Sequence, residues 1–318
     1  MRAAVLLLLG LLAGPAVAAD NYPGRTVEIV VPYGPGGTGD VIARQLAKKF
    51  EERFGKAFIV VNKPGGAGIM GAASVARAQA DGHTLLLGYV LEVAIAPYLG
   101  ATGYETSSFE PIAIAGETPL LLVGRKTLAA NTMSELIETL RSKPQQFTYA
   151  GTGRGAPSHI AGELLKRQAK LDIRQVPYRG GAQAVADVLG GHVDIYFSGM
   201  PPAVPLVRNG DIKAFAVTGE RRADTLPDVP TMKESGFANF DLSGWFALFA
   251  PKGTPAAVLD QLRAATLAAL ADRNVLEALN QNGVEVRANP TERVQEFIGA
   301  ESGKYRNLIA ELGIEAEK

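Results

Sequence analysis

Apolar positions along this chain follow two rhythms, and the change from one to the other marks out its elements. Val27, Glu28, Ile29, Val30 and Val31 form an apolar, β-branched run of strand length, closed by Pro32. From Asp40 the apolar positions move to Ile42, Leu46, Phe50 and Phe54, the spacing of one face of an amphipathic helix. Residues 33–39 between them include four glycines, where no Cβ keeps a ligand from the backbone amides. A strand, a glycine loop and a helix N-terminus in this order predict a socket for an anion, because unpaired N–H groups and the helix dipole point at one spot. The succession recurs at a strand over residues 147–149, a loop over 150–156, Pro157 at the first helical position, and the apolar face of Ile160, Leu164 and Leu165. Two such loops suggest two half-sites that face each other.

The remaining pattern predicts strands over residues 57–61, 84–87, 120–123, 173–176, 193–197, 212–218 and 245–251, and helices over about 69–79, 132–141 and 182–189. Pro201, Pro202 and Pro205 predict a restrained link, and Thr231 with Glu234 a short capped helix. Two alanine-rich helices close the chain, one from Pro255 and one from Pro290, the latter capped by Asn289 with Glu292. Strands alternating with helices imply right-handed crossovers and a mostly parallel sheet. Ligands of such sheets lie beyond the carboxyl ends of the strands, where both glycine loops and residues 88–92 fall. Residues 120–123 and 245–249, each followed by a polar turn and a helix, are expected to cross between two domains as hinge strands.

The first 19 residues read as a signal peptide, with Arg2, an apolar core over 5–12 and Ala16-Val17-Ala18 for cleavage. The mature chain is therefore expected in the periplasm, with no membrane insertion after cleavage. Cysteine is absent, which removes disulfides and thiolate chemistry. Basic and acidic residues balance at 32 each, with no basic stripe for nucleic acid.

Catalytic chemistry is thin. His83, His159 and His192 lie far apart and form no paired zinc motif, and no Gly-x-Ser-x-Gly elbow occurs. Gly34-x-Gly36-x-x-Gly39 matches a dinucleotide fingerprint, but Asn62 stands where the ribose-binding acid belongs. No enzyme activity, metal or cofactor is expected. Asp40 suits helix capping and ligand contact equally, and His159, in a helix's first turn, is either an anion donor or a bystander. Tyr33, Tyr89 and Tyr178 each follow a strand and fit either the core or a pocket rim.

Residues 30–37 with Asp40, residues 61–65 and 81–86, and the stretch 149–155 with 159–164 together resemble one bacterial family. Residues 176–180, 226–231, 234–236, Trp245-Phe246 and 250–255 extend the likeness over nearly the whole mature chain. The family is that of the Bug-type, or tripartite tricarboxylate transporter, periplasmic substrate-binding proteins. The resemblance implies an α/β, two-domain type II periplasmic-binding-protein fold, with 20–122 plus 247–318 as one domain and 123–246 as the other. It implies capture of a small carboxylate in the interdomain cleft and delivery to the permease subunits of a tripartite transporter. A periplasmic sensor presenting the ligand to a membrane receptor would have the same sequence. In the family the glycine loops act as a pincer on one carboxylate. Carried over, the first arm is Gly36, Gly37, Thr38 and Asp40, and the second is Ala150, Gly151, Thr152 and Gly153 with Ser158 and His159. Departures at Tyr89, Val90, Leu91 and Glu92, at Ser198-Gly199 and at Arg154 set the wall for the ligand's far end. There Tyr89 and Leu91 favour an apolar or aromatic body, Arg154 offers a fork for a second carboxylate, and Glu92 would repel an anion unless an amine, a proton or Arg154 intervenes. A citrate-like tricarboxylate fits this wall poorly.

Overall fold

The computed structural model describes residues 22–100, 102–286 and 291–315, with only the backbone of 291 and 292. The expected signal peptide and the Asn289 cap fall outside the described residues. Strands β1 (Val27–Val31), β2 (Phe58–Asn62) and β3 (Thr84–Tyr89) pair in parallel, with β1 in the middle. They are joined by α1 (Thr38–Phe54) and α2 (Ile69–Ala76). α1 buries Ile42, Leu46 and Phe50 fully, the face that the four-residue spacing predicts. After β3 the chain makes a π-helical turn, Leu91–Ile95, and a short α3 (Ala96–Leu99) before entering β4 (Phe109–Arg125).

β4 is far longer than the expected 120–123 strand, because Pro111, Gly116 and Pro119 interrupt its pattern without ending it. Register shifts beside Pro111 and Gly116 absorb the interruptions. Next come α4 (Met133–Ser142), β5 (Thr148–Gly151), α5 (Pro157–Ala169), β6 (Arg174–Pro177), α6 (Gly181–Leu189) and β7 (Ile195–Gly199). Here β5 lies between β6 and β7, all parallel. The expected proline link is a helix, α7 (Met200–Arg208), leading to β8 (Ile212–Val217). Pro201 and Pro202 occupy its first turn, where a missing N–H leaves no intrahelical bond unmade. Thr231 and Glu234 do exchange the reciprocal capping bonds, at 2.7 and 3.0 Å, but on a turn.

β9 (Ser243–Pro251) is followed by α8 (Ala256–Ala271), α9 (Arg273–Gln281) and α10 (Thr291–Leu312). The first closing helix is thus split in two. Asp272 ends α8 and caps α9 by accepting from the amides of Asn274 and Val275.

Among the described strands, β4 alone belongs to both halves. Its residues 109–119 pair with β9, which also pairs with β3, and its residues 120–125 pair with β7 and β8. Residues 120–123 therefore lie wholly in the second sheet, and residues 245–249 wholly in the first. The passage between halves falls at Pro119–Leu120 and in the chain between Val217 and Ser243. Thr218, buried there, accepts from the Leu120 amide at 2.9 Å and donates to the Leu242 carbonyl. α10 lies across both halves: Tyr305 donates to the Ser243 carbonyl, and Arg167 on α5 donates to that of Glu311.

Replacing Thr218 with Val keeps the shape but strands a buried N–H and a buried C=O. Each such group costs about 1–3 kcal/mol. Thermal unfolding of Thr218→Val should start at least about 4 °C below the wild type; an unchanged midpoint would show that the hydroxyl does not hold the crossing together.

Candidate functional site

The first glycine loop is folded by its own backbone and by Asp40. Gly36 adopts φ +81°, open to glycine and strained for other residues, and Gly37 caps α1 in an extended conformation with no side-chain hydrogen bond. The Asp40 carboxylate accepts from the Gly36 amide at 3.1 Å, from Arg44 at 2.9 and 3.0 Å, and from Asn62 at 3.1 Å. Asn62 also donates to the Tyr33 carbonyl at 3.0 Å. Burial pushes the Asp40 acid up, but the bonds from Arg44, Gly36 and Asn62 outweigh it and hold the group below the usual range. Asp40 thus clamps the loop from behind.

The second loop is held in the same way. The Thr152 amide donates to Ser158 Oγ at 3.2 Å, and the two hydroxyls share a hydrogen bond at 3.0 Å. His159 Nδ1 accepts from the Gly155 amide at 3.0 Å, and burial lowers its pKa, so the imidazole is a neutral acceptor that fixes the loop. Gly153 and Gly155 both have positive φ.

Between the halves lies a cavity of about 60 Å³ lined by Tyr33, Gly37, Thr38, Gly39, Tyr89, Thr118, Leu120, Thr152, Gly181, Tyr196, Gly199, Pro202 and Phe246. Of the residues singled out in the sequence, it brings together Tyr33, Gly37, Thr38, Tyr89, Thr152 and Gly199. The others stand back from it. Gly36 lies at the edge, where an added Cβ would be 3.8 Å from that of Ala182. Ala150 is fully buried, and a Cβ on Gly151 would strike Gln175. Gly153 packs against Ala67 and Leu91. Ser198 is buried and donates to the Gly199 carbonyl, and Tyr178 donates to Asp187 at 2.7 Å. Arg154 is exposed and donates to the Glu315 carbonyl, so it offers this cavity no second-carboxylate fork.

The sequence reading missed Gly181, Tyr196, Thr118, Leu120, Pro202 and Phe246. Gly181 had a signal, a Gly-Gly pair directly before a helix. Phe246 stacks on Tyr89 with ring centroids 4.7 Å apart, and Tyr33 meets Tyr89 edge-on at 6.0 Å.

Three helices begin at this cavity: α1 at Gly37, α6 at Gly180 and α7 at Gly199. None of the three has a side-chain hydrogen bond at its cap. Their positive dipole ends therefore meet in one small space. α1 and α6 also supply first-turn amides. α7 supplies mainly its dipole, since Pro201 and Pro202 have no N–H and the Met200 amide donates to Thr118. Larger cavities exist elsewhere, one of about 530 Å³ beside the crossing, lined by Glu117, Glu220, Asp241 and Glu285 with Arg221. That acidic lining opposes an anion, whereas the small cavity attracts one.

Directly behind Tyr33 sits Glu92, with no exposed surface. Its Oε2 accepts from the Tyr33 hydroxyl at 2.7 Å, and its Oε1 from the Tyr89 amide. Burial pushes this acid up to about 8, against the pull of both hydrogen bonds. Leu91 is likewise buried and away from the cavity.

Residues 42–314 match the family described as tripartite tricarboxylate transporter family receptor. A UPF0065 protein of Bordetella pertussis is 33% identical over 317 residues, spanning 99% of this chain and 98% of its own. Among solved structures, the periplasmic binding protein BugD superposes with a TM-score of 0.89 at 35% identity, over 93% of this chain and all of its own. A protein of R. palustris with adipate gives 0.89 at 29% identity, over 92% of this chain and 99% of its own.

Glu92 makes stability depend on pH. As pH rises from about 4.5 to about 8 the unfolded chain has released this proton while the folded one keeps it, so folding stability falls by about 5 kcal/mol and then levels off. Urea unfolding at about pH 5 and about pH 8 should show most of this loss in the wild type and lack it in Glu92→Gln. The same loss in both proteins would assign it to other groups.

Proposed function

The chain belongs to the tripartite tricarboxylate transporter receptor family of periplasmic solute-binding proteins, and we propose that it captures a small carboxylate between its two halves for delivery to the permease of a tripartite transporter. The family binds solutes and is not enzymatic. The observation that carries the proposal is the convergence of three helix N-termini, none capped by a side chain, on one cavity. Each terminus contributes about 0.3–1 kcal/mol, up to about 2 when partly buried. Each hydrogen bond to a charged group adds about 1.5–3 kcal/mol. Two or three termini with three or four amides account for most of the roughly 8 kcal/mol of micromolar affinity.

The ligand's body meets Tyr89 and Phe246, whose stacked rings favour an apolar chain or an aromatic ring over a highly hydroxylated one. With no cation among the described residues of the wall, a second carboxylate reaches toward the cleft mouth. Adipate, bound by the R. palustris relative, has this shape, an alkyl chain with a carboxylate at each end. The cavity, at about 60 Å³, has the volume of about two waters. Entry of a dicarboxylate thus requires the halves to part, turning about the Pro119–Leu120 crossing and the return segment pinned by Thr218. That axis lies close to the domain limits at 122–123 and 246–247 expected from the sequence. Contacts that must separate include Thr38 with Gly199 and Ala67 with Gly153. The leading residues 1–19 direct export and are removed, which places the working protein in the periplasm.

A thermal-shift screen of mono-, di- and tricarboxylates, amino acids and aromatic acids tests this reading. A ligand at about 100 times its Kd adds about 2.7 kcal/mol of stability, and the largest shifts should come from mono- and dicarboxylates with apolar bodies. Gly37→Val should fold normally, since Gly37 has φ −78° and an added Cβ would meet nothing nearer than 3.7 Å. It should lose at least about tenfold in affinity by crowding the first-turn amides. Undiminished binding in Gly37→Val, or a screen in which no compound raises the unfolding midpoint, would overturn the proposal.

A further inference from the structure

Glu92 is a carboxyl group with no exposed surface, placed one shell behind a site that attracts anions. The groups that face it are phenols and amides. Tyr33 comes from the loop after β1 and Tyr89 from the end of β3, while Tyr104, ahead of β4, donates to the Glu92 carbonyl at 2.7 Å. α2 and the turn over residues 66–68 carry no charge, and α3 brings only Tyr98, whose ring is covered by Arg306 at 4.2 Å. On α10, Lys304 pairs with Glu301 at 2.7 Å. Among the described residues no cation compensates a charge on Glu92.

The geometry around Tyr33 gives this carboxyl a mechanical role. The Tyr33 hydroxyl has two acceptors in reach, Glu92 Oε2 at 2.7 Å and the Ala67 carbonyl at 3.3 Å. When Glu92 is ionised, the phenol hydrogen points at the carboxylate. When Glu92 is protonated, its own O–H donates to the Tyr33 oxygen, and the phenol hydrogen is left for Ala67. Ala67 has φ +54° and stands on the cleft: a Cβ on Gly153, in the opposite glycine loop, would be 2.6 Å from the Ala67 Cβ. A proton on Glu92 therefore ties the 66–68 turn to Tyr33 at the point where the two arms touch.

We propose that Glu92 is a positioning residue for anion capture, its protonated carboxyl locking Tyr33 and the 66–68 turn in the ligand-holding arrangement and its ionisation both releasing them and opposing the bound carboxylate. This rests on the carboxylate-capture reading above. A bound anion favours the protonated form of Glu92, so by linkage affinity is highest where Glu92 is already protonated and falls as pH rises through its midpoint. The loss is about tenfold for each unit by which the ligand raises that midpoint.

The test is calorimetric titration with adipate and with benzoate at about pH 6, about pH 7.5 and about pH 9.5, in pairs of buffers with different ionisation enthalpies. Wild-type protein should hold most of its affinity to about pH 7.5, lose about tenfold by the highest pH, and take up a fraction of a proton on binding at the two higher values. Glu92→Gln, whose amide makes the hydrogen bonds of the protonated acid, should bind at the highest pH as the wild type does at the lowest, with no proton uptake. Glu92→Leu, which cannot hold Tyr33, should bind weakly at every pH. A wild-type profile that stays flat, or a Glu92→Gln profile that falls in parallel with it, would overturn the proposal while leaving carboxylate capture intact. Absence of binding by both acids at every pH would overturn the capture reading itself, and this inference with it.

Discussion

Helix N-termini left without side-chain caps are the constraint on which this site depends. A helix begins with amide hydrogens that no intrahelical carbonyl can reach, and a serine, threonine or aspartate usually satisfies one of them. α4 and α9, away from the cavity, follow that rule with Thr132 and Asp272. α1, α6 and α7 begin instead at Gly37, Gly180 and Gly199, which have no side chain to offer. The dipoles of all three, and the first-turn donors of α1 and α6, remain available to an anion from outside. The topology then brings them together, because parallel strands deliver every following helix to the same edge of its sheet.

The side chains that one expects to touch a ligand are used here to hold the loops in shape. Asp40, Asn62, Ser158 and His159 all bond backbone or side-chain groups of the glycine loops from behind. A loop rich in glycine has high conformational entropy to lose, and these bonds pre-order it before any ligand arrives. The cavity surface is thereby reduced to backbone, small residues and aromatic rings. Such a surface is selective for charge through the helix ends and for shape through Tyr89 and Phe246. The acid behind it is compatible with an anion as long as its proton stays on.

Much of this was legible in the residues themselves, and the boundary of legibility has physical causes. β1, its glycine loop and α1 form one local unit, so periodicity and glycine placement located them to within a few residues. The second loop and α5 followed for the same reason. α7 was hidden because prolines in a first turn resemble prolines in a link, and only the burial of Met200, Ala203 and Val204 distinguishes the two. β4 was read short because Pro111, Gly116 and Pro119 break its alternation while the register shifts that accommodate them are tertiary. At the site, residues adjacent to a glycine loop could be named from sequence, but Phe246 and Tyr196 reach the cavity through strand pairing. Arg154 and Leu91 were misassigned to the wall for the converse reason. A loop position alone does not say which way its side chain turns, and the chain after α10 and the core claim these two.

The central claim is that an anion is held by the backbone amides at the starts of α1 and α6, beside the Thr152 side chain. The most direct measurement is amide nitrogen–proton correlation spectroscopy of deuterated protein during titration with a small dicarboxylate. The amides of Thr38, Gly39 and Gly181 should move together to lower field, with one common dissociation constant, as they take up hydrogen bonds to a charged acceptor. If those amides stay in place while the resonances of Gly219 to Arg221, beside the acidic cavity, shift instead, the site lies elsewhere and the account given for the glycine loops is wrong.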